Sequence, residues 1–320
     1  MAFRFATSVG GAGGENVTAI SVVICTRNRP ELIGQAVGSV LACDHPDFEL
    51  LVVDQSSDDA TERALAKYRS DVHLRYMHVL RAGLAPARNL GLQQTAAPII
   101  AFTDDDCTVP PDWLQSIERA FETNPDVDLM YGDTHRAPDM AEDLGVIPAL
   151  AIARQEKLGK GYGFRIYGMG ADFALRRRLL ERVEGFDEAL GAGGPLKAAE
   201  DFDFQFRTYR AGAVTLLCPD VWVDHYGLRR GSEWADTLKS YGIGDGAFYV
   251  KHVRCGDLLA LKLLTVALMK GALRELLIPI RPRPSFKIYW RAFLTGMRNS
   301  MRFEIDKRTR LYKLGENAPA

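Results

Sequence analysis

The chain has 320 residues, 47% apolar and 25% charged, the balance of an ordinary soluble protein, with room for one large domain or a domain plus an appendage. Its net charge of −1 hides an asymmetry: residues 251–320 carry 15 Lys and Arg against 5 Asp and Glu, the first 250 carry 25 against 36. An acidic body with a basic tail argues against a nucleic-acid binder, whose basic patch is built into the folded face. The five scattered cysteines contain no Cys-x-x-Cys pair, which argues against a zinc site or a disulfide framework.

Met1 to Glu15 is Gly-rich without the apolar run of a secretory signal and reads as a loose leader, 1–18. From Ala19 onward strands and helices alternate. Ile20–Cys25 predicts a buried strand, Glu31–Leu41 a helix started by Pro30, and Phe48–Val53 a second strand ending at Asp54. A helix over Ala60–Tyr68, a strand near Leu74–Val79, a helix over Ala85–Gln94, a strand over Pro98–Thr103 and a helix over Pro111–Glu122 follow. This alternation predicts an α/β domain with a mostly parallel sheet covered on both faces. The glycines at 10–14 precede the first strand, so they cannot form a dinucleotide-binding turn.

The middle of the chain is less regular. Gly159–Gly170 and Gly191–Pro195 read as loops, Leu175–Val183 and Ala198–Arg210 as helices, and Ala213–Leu217 and Val221–Val223 as short strands. The expected domain ends near 250. Asp257–Ile278, Leu-rich but broken by Lys262, Lys270, Arg274 and Glu275, is too interrupted to span a bilayer, and a basic, aromatic helix over Phe286–Phe303 follows.

The chemistry concentrates where strands end. Asp104, Asp105 and Asp106 close the strand over 98–103, at the carboxyl edge where open α/β sheets bind ligands. Three adjacent carboxylates repel one another, and a divalent cation that also takes substrate phosphates offsets this. Asp54 closes the second strand, followed by Gln55, Ser56 and Ser57, small polar residues suited to a base or ribose. Thr26, Arg27 and Asn28 close the first. All three sets should meet along one edge.

With these runs in place the chain resembles the family 2 glycosyltransferases, nucleotide-diphosphosugar enzymes of the GT-A fold. The similarity runs from about Ile20 to Gly246. It rests on Ser21 to Pro30 (SVVICTRNRP), Glu49 to Asp54 (ELLVVD), Gly83 to Gly91 (GLAPARNLG), Phe102 to Asp106 (FTDDD), and Glu200 to Asp203 (EDFD) with Arg207 and Gly212. The family often has a second acid after the strand-two Asp; this chain has Gln55, whose amide can still meet a base.

The resemblance implies roles. Asp106 ligates Mn²⁺ or Mg²⁺ with Asp104 and His225, while Asp104 and Asp105 also lie by the donor nucleotide with Thr26, Arg27, Asn28, Asp54, Gln55 and Arg88. Asp201 is the catalytic base, flanked by Glu200; Asp172 and Asp203 are acceptor-side candidates. A positioned carboxylate takes the proton of the attacking hydroxyl, and the metal stabilises the departing diphosphate. The implied activity is inverting, metal-dependent transfer from a UDP- or dTDP-sugar to a glycan or lipid-linked acceptor. Trp113 is expected in the core. A nucleotidyltransferase would need a Gly-rich loop after the first strand, which Thr26–Pro30 lacks; a non-catalytic sugar-binding protein would have lost Asp106 or Asp201, and both are present. The extension over 251–320 is expected to lie on an anionic membrane at the cytoplasmic face or to pack on protein, including a second subunit.

Overall fold

The structure is a computed structural model that describes residues 18–138, 145–277 and 284–314. The leader expected over 1–18 lies almost wholly outside the described residues. Two compact units are present, and they interleave along the chain. The first comprises 86–185 and 205–228 with the described residues up to 82; the second comprises 83–85, 186–204 and the described residues from 229. Residues 229–250 are grouped with the described residues that follow them, in the second unit.

The first unit is built on β1 (Ile20–Thr26), β2 (Phe48–Asp54), β3 (Leu74–His78), β4 (Ile99–Asp104), β5 (Cys107–Thr108), β6 (Val127–Arg136), β7 (Glu156–Leu158), β8 (Asp172–Arg176) and β9 (Val214–His225). Their order in one sheet is β3-β2-β1-β4-β8-β6-β9-β5, with β7 also on β9. The β3-β2-β1-β4 half is parallel. Val22, Val23 and Ile24 of β1 are fully buried, as a strand covered on both faces requires. Helix α1 (Pro30–Leu41) begins on Pro30, whose missing N–H costs nothing there, and buries Ile33, Ala36, Val37 and Val40, one helical stripe. The short α2 (Ala60–Ala64) ends in a 3₁₀ turn over Ala66–Tyr68. In α3 (Leu84–Gln94), Gly91 lies so close to β1 that a Cβ would stand 2.5 Å from Val23. Helix α4 (Trp113–Thr123) buries Trp113, Leu114, Ile117, Ala120 and Phe121.

The other half of the sheet is mixed, because β8 runs antiparallel to both β4 and β6. The helix expected over Leu175–Val183 is instead the end of β8 and a 3₁₀ segment, Arg177–Glu181. The Leu-Arg-Arg-Arg-Leu-Leu-Glu run has helical propensity, but Phe173, Ala174 and Leu175 pair with strands on both sides, and tertiary pairing overrides it. The two short strands expected over 213–223 are one, β9, with an irregularity between residues 218 and 222.

Helix α5 (Glu200–Arg210) has its first turn in the second unit and the remainder in the first. The second unit otherwise holds α6 (Gly231–Arg254), α7 (Leu258–Leu277), α8 (Pro284–Ser300) and a hairpin of β10 (Glu304–Asp306) and β11 (Leu311–Lys313). Gly242 and Gly246 of α6 and Gly296 of α8 leave no room for a Cβ between the two backbones, so α6 and α8 pack at close range.

Candidate functional site

The strand register brings the expected edge together. Thr26 lies opposite Asp54, and Cys25 opposite Asp104, so the ends of β2, β1 and β4 are neighbours. The short β5 pairs with β9 so that Cys107 faces His225 across the ladder, which carries a histidine from far along the chain to Asp106. The Tyr226 N–H donates to the Asp106 carbonyl (2.7 Å) and locks this junction.

Asp106 is buried, and its two oxygens meet different partners. Oδ1 lies 3.3 Å from His225 Nε2, and Oδ2 lies 3.2 Å from Arg29 Nη1. The same Arg29 nitrogen is 2.9 Å from Asp105 Oδ1, and the Thr26 hydroxyl donates to Asp105 Oδ2 at 2.7 Å. Burial pushes the Asp105 carboxyl up to about 6, with Arg29 pulling the other way. Asp104 is partly exposed and 3.4 Å from Arg88, whose guanidinium also donates to the Gly170 carbonyl (2.8 Å). Burial likewise raises the Asp104 carboxyl, against the pull of Arg88.

These residues fit a divalent cation. His225 Nδ1 donates to the Pro148 carbonyl (2.8 Å), so in the neutral ring the Nε2 lone pair faces the carboxylate. Two lone-pair atoms 3.3 Å apart need a proton or a cation between them. Charge favours the first: burial disfavours a protonated ring, yet the Asp106 carboxylate holds His225 above its ordinary value. The second fits the space, because ligands about 2.1 Å from one ion at a right angle stand about 3 Å apart. Gly227 keeps that space open: a Cβ there would lie 2.5 Å from His225 Nε2 and 2.7 Å from Asp106 Oδ2. Among the described residues, Asp106, His225 and Cys107 bring ligand atoms within 4.8 Å of one another. Burial holds the Cys107 thiol protonated, far above its usual range, so the available donors are the hard Asp106 carboxylate and the His225 imidazole. Asp104, the other expected ligand, stands outside this group and meets Arg88.

Other expected donor-side residues tie the edge itself. Asp54 is fully buried, accepting from the Tyr76 hydroxyl (2.6 Å) and the Ser56 N–H (2.8 Å). The Gln55 amide donates to the Arg81 carbonyl. Asn28, with φ of 55°, accepts from the Ser57 N–H (2.9 Å), and its own N–H donates to Ser56 Oγ (2.8 Å). Arg27 is exposed.

The two acceptor-side candidates, Asp172 and Asp203, are both buried. Asp172 is wholly buried on β8; its Oδ1 accepts from Trp113 Nε1 (3.1 Å), and burial raises its carboxyl far above the usual range. It is a core acid. Trp113 is in the core, as expected. Asp203 is also wholly buried, ion-paired to Lys251 and 2.8 Å from His252 Nε2. Lys251 Nζ is 2.6 Å from Asp187 Oδ2, which also accepts the Tyr312 N–H (2.9 Å). Asp203 thus anchors α5 to α6 and, through Asp187, to the hairpin.

Asp201 is half-buried in the first turn of α5, and Glu200 packs over Gly191. Lys197 and Ala199, just before that turn, hold φ of 72° and 70°, a left-handed conformation that costs energy without glycine and clusters at functional sites. Sequence reasoning missed Arg29 and Gly227. Arg29 carried a usable signal, a cation at the cap of the helix after β1. Gly227 carried none, because its meaning depends on what lies across the fold.

The glycosyl transferase family 2 model matches residues 21–183. The chain belongs to that family. An uncharacterized glycosyltransferase of Rickettsia conorii (strain ATCC VR-613 / Malish 7) is 38% identical over 91 residues, which is 28% of this chain but 15% of that protein. The succinoglycan biosynthesis protein ExoM of Rhizobium meliloti (strain 1021) is 26% identical over 217 residues, 64% of this chain and 65% of ExoM. The chain thus matches only a part of each relative's length. Among solved structures, the mannosyltransferase PcManGT from Pyrobaculum calidifontis, in complex with GDP-Man and Mn²⁺, is 20% identical with a TM-score of 0.62, covering 90% of this chain and 88% of that one. That likeness shows a shared GT-A fold for this family 2 member.

Proposed function

We propose that the chain is an inverting, divalent-metal-dependent glycosyltransferase that moves a sugar from a nucleoside-diphosphate sugar to a hydroxyl of a glycan or lipid-linked acceptor. The observation that carries this is the Asp106–His225 pair beside the space kept by Gly227, at a family 2 sheet edge. Asp106 and His225 hold Mn²⁺ or Mg²⁺, which supplies charge neutralisation for the departing diphosphate. Arg88 adds positive charge beside Asp104, and Thr26 holds Asp105 in place. Asp201 accepts the proton of the acceptor hydroxyl as its oxygen bonds to the anomeric carbon and the bond to the diphosphate breaks, a single displacement with inversion.

The donor proposed is a UDP- or dTDP-sugar. A panel of UDP-, dTDP- and GDP-sugars incubated with Mn²⁺ tests the reading. Asp201→Asn should lower turnover by about 10²–10⁴-fold with donor binding kept, and Asp106→Ala should remove the Mn²⁺ dependence of donor binding. Pyrophosphate exchange would point to a nucleotidyltransferase, and binding without turnover to a binding protein; either outcome refutes the proposal.

Attachment to an anionic membrane at the cytoplasmic face is the second part of the reading. No described helix is long and apolar enough to cross a membrane. Helix α7 instead exposes Leu258, Leu261, Met269, Leu273 and Leu276 beside Lys262, Lys270 and Arg274, the composition of an in-plane helix.

A further inference from the structure

The charge balance around Asp106 holds more than a metal site. Three carboxylates, Asp104, Asp105 and Asp106, face two guanidiniums, and these differ in kind. Arg88 is almost wholly buried, with its Nη2 shared between Asp104 and the Gly170 carbonyl. Arg29 has a side chain 39% exposed, yet its Nη1 bridges Asp105 Oδ1 and Asp106 Oδ2, two buried carboxylates. Its backbone caps α1, accepting from the Leu32 and Ile33 N–H groups, so the Cα is fixed while the long side chain has solvent on one side. Arg29 therefore occupies one oxygen of the very carboxylate whose other oxygen faces His225.

A cation entering between His225 and Asp106 competes with Arg29 for the same negative charge. Two positive partners on one buried carboxylate repel each other, and the more exposed, flexible one gives way at the lower cost. Once free, a guanidinium at the end of β1 and the start of α1 is suited to an anionic diphosphate, which it can grip with two parallel hydrogen bonds.

We propose that Arg29 is the resident counter-ion of the metal site, displaced from Asp106 when the divalent cation binds and handed over to the diphosphate of the donor. The site then keeps its charge compensated both before and after loading. This rests on the metal-dependent reading above, and it makes metal and nucleotide binding cooperative, since each removes an obstacle to the other.

The test reads binding. Titration calorimetry of Mn²⁺ alone on the full chain and on Arg29→Gln should show the variant binding Mn²⁺ about fivefold more tightly, as expected when one partly exposed competing ion pair is removed. The rise in thermal midpoint on adding Mn²⁺ should be correspondingly larger. With Mn²⁺ saturating, the same variant should bind UDP and GDP about tenfold more weakly, a charge-assisted contact being lost. Arg29→Lys, which keeps the charge without the fork, should fall between parent and Gln variant in both measurements and covers the case in which the Gln variant folds poorly. Equal or weaker Mn²⁺ binding by Arg29→Gln, or unchanged affinity for both nucleotides, overturns the inference while leaving the metal site standing. A parent chain that binds no Mn²⁺ overturns the metal reading and this inference with it.

Discussion

Replacing Lys251 by Met tests how the second unit holds the turn that carries Asp201. Lys251, Asp187 and Asp203 have side chains at most 1% exposed, and Nζ meets both carboxylates, at 2.6 Å from Asp187. Met has nearly the length of Lys, so the packing of the methylenes survives and the loss is almost wholly electrostatic. Leaving buried charge without its partner costs about 3–5 kcal/mol. Here the stranded carboxylates keep other donors: Asp187 retains the Ala189 and Tyr312 N–H groups, and Asp203 retains His252. The cost should therefore sit near the lower end, about 3 kcal/mol. Urea unfolding followed by circular dichroism measures it. Adding Asp203→Asn to Lys251→Met should recover about half of the loss, because one of the two stranded charges is gone. A Lys251→Met chain within about 1 kcal/mol of the parent would refute the reasoning, since a loss that small is typical of an exposed pair.

Burial pushes His252 down to about 4, against the pull of Asp203, while the unfolded value stays near 6.5. The neutral ring therefore contributes stability that is complete above pH 6.5 and is lost as pH falls through about 4, a swing of about 3 kcal/mol. His252→Gln should remove that slope from urea unfolding measured across the window, and an unchanged slope would reject the assignment. Gly227→Ala should leave the fold intact, its φ being ordinary, but weaken Mn²⁺ binding by about tenfold or more by filling the space between His225 and Asp106; calorimetry giving equal affinity would count against the site. The chain should float with anionic but not neutral liposomes at low salt, and Leu261→Glu with Leu273→Glu should abolish this. If instead the parent fails to float and those changes shift its oligomeric state, α7 covers a second copy.

The elements around the donor edge were legible because their signals are local. The apolar runs ending at Thr26, Asp54 and Asp104 each name a parallel strand and the point where it reaches solvent, and Pro30 marks the start of α1. Parallel strands buried on both faces are continuous apolar runs, and helices carry their own stripe, so neither needs a distant partner to be recognised. The cluster Asp104–Asp106 at the end of β4 followed from the same reading, whereas His225 entered only through the family resemblance.

What local pattern could not carry was decided by pairing across the fold. Residues 127–136, for which no element is named above from the sequence, form β6 by pairing with β8 and β9; Arg178 and Arg182 neutralise Asp128, and Asp133 accepts the Ile152 N–H. Asp172 and Asp203 have the residue type of a functional acid; burial against Trp113 in one case and Lys251 in the other makes them parts of the core. Arg29 became part of the site only when β5 paired with β9 and set His225 on the other side of Asp106. The sequence by itself determined which residues could ionise, cap or line a strand end, because those properties belong to a residue and its near neighbours. Which acid is solvated, which is paired and which meets the histidine was left to the tertiary structure, because the free energy of a charge is set by the groups within a few ångströms of it, wherever in the chain they come from.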